Sequence, residues 1–182
     1  MNQMSDKELL CMFRKENTRS YAFNLIVRKY QERLYWHIRK IIVSHDDTDD
    51  VIQNTFLKVW NALDGFREDS QLFTWLYRIA TNEALTFLKK KRSRFFVPLA
   101  DVEQQLISTL ESSPLLNGDE IKVKLQKAIL KLPEKQRLVF NMKYFDELKY
   151  EEISGILGTS VGALKASFHH AVKKIEKAME ED

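Results

Sequence analysis

Apolar side chains recur at helical spacing along most of this chain, and few residues in it break a helix. Between residues 20 and 43, Phe23, Ile26, Val27, Tyr30, Leu34, Ile38, Ile41 and Ile42 follow one another three or four positions apart, as one face of a helix requires. Only five glycines and three prolines occur among 182 residues, which favours long helices over a turn-rich sheet. Hydrophobic residues make up 44% and aromatics 11%, enough for packed cores. The expected fold class is therefore all-α.

Local signals divide the chain further. Ser5-Asp6-Lys7-Glu8 fits a capping box and predicts a short first helix. A helix starting within "HDDTDD" carries Val51, Ile52, Phe56, Val59 and Leu63, with Gly65 as its stop. After the loop "DGFREDSQ", the stretch "LFTWLYRIATNEALTFLKKKRSR" (residues 72–94) reads as a helix with an apolar stripe of Phe73, Leu76, Ala80, Ala84 and Phe87. Residues 95–118 hold Pro98, Pro114 and Gly118 and show weak periodicity. They read as a flexible linker with a short helix near Val102–Leu110. Helical spacing resumes in Ile121, Leu125, Ala128, Ile129 and Leu132. Pro133 sits at the first turn of a helix carrying Leu138, Val139, Met142 and Phe145.

Charge follows the same division. Residues 1–94 hold 17 basic and 12 acidic side chains, 95–118 none and three, and 119–182 twelve and eleven. Two mildly basic blocks flank an acidic joint, so the expected organisation is two small helical domains, 1–94 and 119–182, joined by the 95–118 linker. The overall net charge is only +3, so clustering rather than total charge has to carry any case for nucleic acid.

Several functions are disfavoured. No apolar run reaches the ~18 residues that span a bilayer, and the first residues lack a signal-peptide pattern. The single Cys11 excludes an internal disulfide framework. These features point to a soluble, cytoplasmic protein. No Cys/His ligand spacing suggests zinc, and no metal or other cofactor is expected. No Ser/His/Asp or Cys/His arrangement suggests an enzyme or a small-molecule substrate. "DDTDD" (Asp46 to Asp50) matches the bare D-D-x-x-D pattern that holds magnesium against a diphosphate. Acidic residues at a helix start also cap free N–H groups and complement the dipole, and that reading is favoured.

Two stretches suggest DNA. In "KYEEISGILGTSVGALKASFHHAVKKIEKAM", a short helix with Ile153, Ile156 and Leu157 ends at Gly158, and Thr159 or Ser160 caps a longer one. This is the shape of a helix-turn-helix. Val161, Leu164, Phe168, Val172 and Ile175 face inward, leaving Lys165, Ala166, His169, His170 and Lys173 outward, where they can reach base edges and phosphates. A merely solvated face is the alternative. On the 72–94 helix, Trp75, Arg78, Asn82 and Lys89 combine a ring, an amide and cations, a mixture suited to single-stranded nucleic acid. A packed Trp and dipole-favoured cations are the alternative there.

The order of these motifs resembles a known family. "DDVIQNTFLKVWNALDGFREDSQLFTWLYRIATNEALTFLKKKRSR" resembles region 2 of bacterial RNA polymerase sigma factors. "LPEKQRLVFNMKYFDELKYEEISGILGTSVGALKASFHHAVKKI" resembles their region 4. The absence of a region 3 resembles the extracytoplasmic-function (ECF) group. The resemblance implies a promoter-specificity subunit of core RNA polymerase. It implies docking on the β′ clamp helices through Asp50, Gln53, Asn54, Leu57 and Trp60, with Asn54 standing where an acidic residue is expected. It implies capture of a flipped −10 base by Phe66, Arg67, Asp69, Ser70 and Gln71, with Trp75, Arg78, Asn82, Lys89 and Lys90 along the DNA path. It implies −35 recognition through Lys165, Ala166, His169, His170 and Lys173, with His170 where Arg is common. The β flap and an anti-sigma factor, often membrane-bound, are further implied partners. An ordinary helix-turn-helix regulator and a helical adaptor without DNA affinity remain the rival readings.

Overall fold

In the computed structural model, residues 4–94, 104, 106–110 and 120–180 are described. Every regular element among them is helical. α1 (Asp6–Phe13) opens on the predicted capping box: the Ser5 hydroxyl accepts from the Glu8 amide, and the Glu8 carboxylate accepts from the Ser5 amide at 2.7 Å. α2 (Arg19–Ile42), α3 (His45–Ala62) and α4 (Leu72–Arg94) are the long elements, and all three pack on one another. Their contact faces are the stripes read from the sequence: Ile26, Leu34, Ile38, Leu76, Ala80 and Ala84 have no measurable exposure.

The second half comprises α5 (Glu120–Leu130), α6 (Glu134–Phe140), a π-helical turn (Asn141–Phe145), α7 (Tyr150–Leu157) and α8 (Val161–Glu180). α8 packs against α5, α6 and α7. Gly158 ends α7 in the left-handed region at φ +65°, the conformation a glycine turn supplies cheaply. Ser160 caps α8 by accepting from the Ala163 amide at 3.4 Å.

Some local expectations shift. Ser44, not an aspartate, caps α3, by accepting from the Asp47 amide. Asp46 and Asp47 occupy its first turn, as dipole complementarity predicts. Gly65 is not a left-handed stop; α3 ends at Ala62 and tightens into a 3-10 turn over Leu63–Gly65. The left-handed positions outside Gly158 fall instead on Val43, Glu68 and Glu147. Pro133 lies just before α6, whose first residue is Glu134. Ile121, counted with the apolar face of its helix, is 73% exposed. Of the short helix expected near Val102–Leu110, residues 106–110 are helical, while Val102 and Glu103 lie outside the described residues. Leu106 and Leu110 pack with Val43 at the end of α2 and with Leu130 at the end of α5.

The two halves are in contact. α7 lies along α4, and one continuous apolar cluster joins Ile38, Leu76 and Tyr77 to Leu138, Val139, Met142, Ile153 and Ile156. A buried polar group pins the same junction. Asp146, just after the π-helical turn, accepts from Nδ1 of His37 at 3.0 Å and from Lys40. His37 is 1% exposed, and its Nε2 lies 2.8 Å from the Thr81 hydroxyl of α4. Burial pushes the Asp146 carboxyl up, but the hydrogen bond and charge of His37 and the charge of Lys40 outweigh it and hold the group below its usual range. A depressed carboxylate contributes stability that is present above its unfolded pKa of ~3.9 and is lost as pH falls through the folded value. Acid titration followed by near-UV circular dichroism should show the wild type losing this increment below about pH 4. Asp146→Asn should lack that increment and be less stable at neutral pH.

Candidate nucleic-acid interface

Three surfaces carry the residues singled out by the sequence. The first is a groove of about 1010 Å³ between α2 and α3, whose walls include Phe23, Val27, Ile52, Phe56 and Trp60. Gln53 and Leu57 of the expected docking set also line it, whereas Asp50 and Asn54 do not. Both of those are nonetheless solvent-facing on α3. Leu57 is 62% exposed, a large apolar side chain left uncovered at the groove rim. Trp60 is held from behind by edge-to-face contacts with Phe13 and Phe23, at 5.5 and 5.0 Å between ring centres.

The second surface is the loop between α3 and α4. Phe66, Asp69, Ser70 and Gln71 line a cavity of about 520 Å³, within the ~300–1,000 Å³ typical of small-molecule sites. Phe66 is not a free ring. It is buried and packs on Trp75 with ring centres 5.0 Å apart, so Phe66 lines the cavity and Trp75 backs it. Arg67 does not line the cavity; it pairs with Asp69 at 3.1 Å on the exposed surface. The opposite wall comes from Asp6, Lys7 and Leu10 of α1. Those residues lie about sixty positions upstream, and nothing in their local pattern announces the role. A clamp holds the loop: Arg14 Nη2 donates to the Phe66 carbonyl at 3.3 Å and to the Glu68 carboxylate at 2.8 Å. Glu68 takes a left-handed backbone at φ +61°, a conformation that disfavours a non-glycine residue by roughly 1–2 kcal/mol. The clamp opposes that strain.

α4 continues from this loop. Arg78, Asn82, Lys89 and Lys90 are exposed along it, and Trp75 is half-buried. Trp75 therefore packs on its own loop while keeping one edge open. Arg78 is engaged: its Nε donates to the Gly155 carbonyl of α7 at 3.0 Å, and Nη2 reaches the same oxygen.

The third surface is α8. Lys165, Ala166, His169, His170 and Lys173 are all exposed on one side, while Leu164, Ala171 and Ile175 are buried on the other. Ala171 belongs to the buried face, although its small size hid it from the stripe read in the sequence. Among the described residues no group of three or more His, Cys, Asp or Glu is arranged to hold a metal. No described helix is long and apolar enough to cross a membrane.

Comparison with known proteins places the chain in a family. The family model for Sigma-70 region 2 matches residues 26–94, and that for Sigma-70, region 4, matches residues 122–175. The ECF RNA polymerase sigma-E factor of Salmonella typhimurium is 31% identical over 188 residues, covering 98% of this chain and 96% of the relative. The RNA polymerase sigma-H factor of Pseudomonas aeruginosa is 30% identical, covering 99% and 96%. In fold, the chain resembles CnrH solved in complex with the cytosolic domain of CnrY, with a TM-score of 0.71 at 24% identity over 97% of this chain and 98% of that one. It also resembles RpoE of Bartonella quintana solved with the anti-sigma factor NepR, with a TM-score of 0.67 at 20% identity over 88% and 98%. With both regions matched in order and full-length relatives at this identity, the chain belongs to the ECF RNA polymerase sigma factors, which direct transcription initiation.

Proposed function

We propose that the three surfaces divide the work of promoter selection between two domains, 1–94 and 119–182. The observation that carries this assignment is their separation: an apolar groove, a loop cavity continuing into a cationic helix, and an exposed cationic face on a helix-turn-helix. The groove between α2 and α3, with Gln53, Leu57 and Trp60 in its walls and Asp50 and Asn54 on the adjoining face, receives the β′ clamp helices of core polymerase. An amphipathic helix fits an apolar groove with a polar rim. The cavity beneath residues 66–71 takes one base unstacked from the −10 element. Unstacking costs a few kcal/mol, and a shaped pocket offsets that cost for the preferred base only. Trp75 supports the floor, and Arg78, Asn82, Lys89 and Lys90 hold the separated strand. Lys165, Ala166, His169, His170 and Lys173 enter the major groove of the −35 element. A His at 170 gives a weaker phosphate or guanine contact than a bidentate Arg would. The second domain also meets the β flap, and an anti-sigma factor binds the protein in the cytoplasm, a reading supported by the likeness to RpoE solved with the anti-sigma factor NepR. The protein supplies no catalytic chemistry; bond formation belongs to the core enzyme.

In vitro transcription with purified core polymerase and a promoter library tests the reading. Promoter-dependent initiation is the expected result; duplex binding without initiation, or no DNA affinity, contradicts it. Lys89→Gln and Lys90→Gln should weaken promoter binding for all sequences alike and lower the salt slope by about one each. Arg14→Gln should lower global stability only modestly, by about 1 kcal/mol, because the Glu68 pair is exposed and the bond to the Phe66 carbonyl is only part-buried. The same variant should speed amide hydrogen exchange across residues 66–71 and blur the preference for the −10 base.

A further inference from the structure

Trp60 forms part of the wall of the groove between α2 and α3, and a single cation sits over its ring. The Arg19 guanidinium lies 5.1 Å from the centre of the Trp60 ring and 4.4 Å from that of Phe13. Asp64 holds the same group, accepting from Nη1 at 3.0 Å and from Nη2. A guanidinium paired through both nitrogens with one carboxylate has a fixed plane, so it does not turn freely over the rings. With the edge-to-face contacts of Phe13 and Phe23, the indole is gripped by three side chains from α1 and α2.

Local helix rules disfavour Arg19 where it stands. It is the first residue of α2, at the positive end of the helix dipole, where a cation is unfavourable. The first turn of α2 holds no acidic side chain, and the Thr18 hydroxyl donates to the Met12 carbonyl at 2.7 Å instead of capping the helix. A conflict of this kind marks a position decided by tertiary contacts or by function. The Asp64 pair ties the start of α2 to the 3-10 turn after α3. Yet its side chains are 30% and 52% exposed, and such a pair adds little stability. The contact with Trp60 acts on the groove itself. A ring left free to swing costs affinity when binding fixes it, and a ring already held does not.

We infer that Arg19 is a positioning residue for the docking of core polymerase: its guanidinium, fixed by Asp64, holds the Trp60 ring in the orientation that shapes the groove. Arg19 does not line the groove, so its effect on the partner passes through Trp60. The inference rests on the assignment of that groove to the β′ clamp helices.

Two variants test it in the full chain, with urea unfolding to establish that each is folded. Arg19→Gln removes the cation. Asp64→Asn, at an exposed position, loosens the guanidinium without touching the rings, and it carries the test alone if Arg19→Gln fails to fold. Biolayer interferometry with purified core polymerase should show Arg19→Gln binding about threefold to tenfold more weakly, the cost of fixing one more mobile side chain, and Asp64→Asn falling between it and wild type. In protein labelled with 5-fluorotryptophan, the fluorine resonance that disappears in Trp60→Phe belongs to Trp60. That resonance should broaden or split in both variants, while those of Trp36 and Trp75 stay as they are. In a Trp60→Leu background, Arg19→Gln and Asp64→Asn should cost no further affinity, because all three changes act through one ring. An equal loss in both backgrounds overturns the inference, as does wild-type core affinity or a single sharp Trp60 resonance in the folded variants. Leu57→Ala separates this failure from that of the docking assignment. If Leu57→Ala weakens core binding, the groove assignment stands whatever Arg19 does. If Leu57→Ala and Trp60→Leu both bind core as the wild type does, the groove assignment fails and the inference falls with it.

Discussion

α4 is the element on which the rest of the structure depends, because three packing demands meet on one helix. Its apolar stripe seats it against α2 and α3 and completes the first core. Its N-terminal turns hold the loop cavity through the Phe66–Trp75 contact. Its remaining flank meets α7, where Thr74 lies close against Gly155 and Arg78 donates to the Gly155 carbonyl, while Thr81 holds His37, which reaches Asp146 of the second half. A helix buried on two sides and polar on a third is held firmly enough to present a row of exposed cations.

Polar contacts rather than apolar area give the junction its specificity. An apolar contact between the halves alone could slide. The His37–Asp146 pair fixes register because each group is buried and would be costly to leave without its partner. Lys40 adds a second charge from the same helix face. The Arg78–carbonyl contact is different: it lies at an exposed edge, where water competes, and it can be surrendered to a phosphate at little cost.

Much of this was legible in the sequence because helix formation is local. The Ile26–Ile42 stripe, the Ser5 capping box, the Gly158 turn and the outward face of α8 all follow from spacing within one or two turns, and the structure shows each of them. What was hidden depends on contacts distant in sequence. Arg14 and Glu68 are 54 positions apart, and His37 and Asp146 are 109. Nothing in a local window joins them. Positive backbone angles at Val43, Glu68 and Glu147 were invisible for a related reason. Only glycine and asparagine announce such angles, and here tertiary contacts impose them on ordinary residues. Gly65 illustrates the converse, a residue read as a stop by type where a 3-10 turn ended the helix instead.

The central claim is the proposed division of promoter selection between α4 and α8. Permanganate footprinting with core polymerase on one promoter, comparing Lys89→Gln/Lys90→Gln with Lys165→Gln/Lys173→Gln, tests it most directly. The account predicts that the first pair weakens strand opening around −10 and that a promoter lacking its −35 element loses sensitivity to the second pair only. Equal sensitivity of both pairs to loss of the −35 element would contradict it.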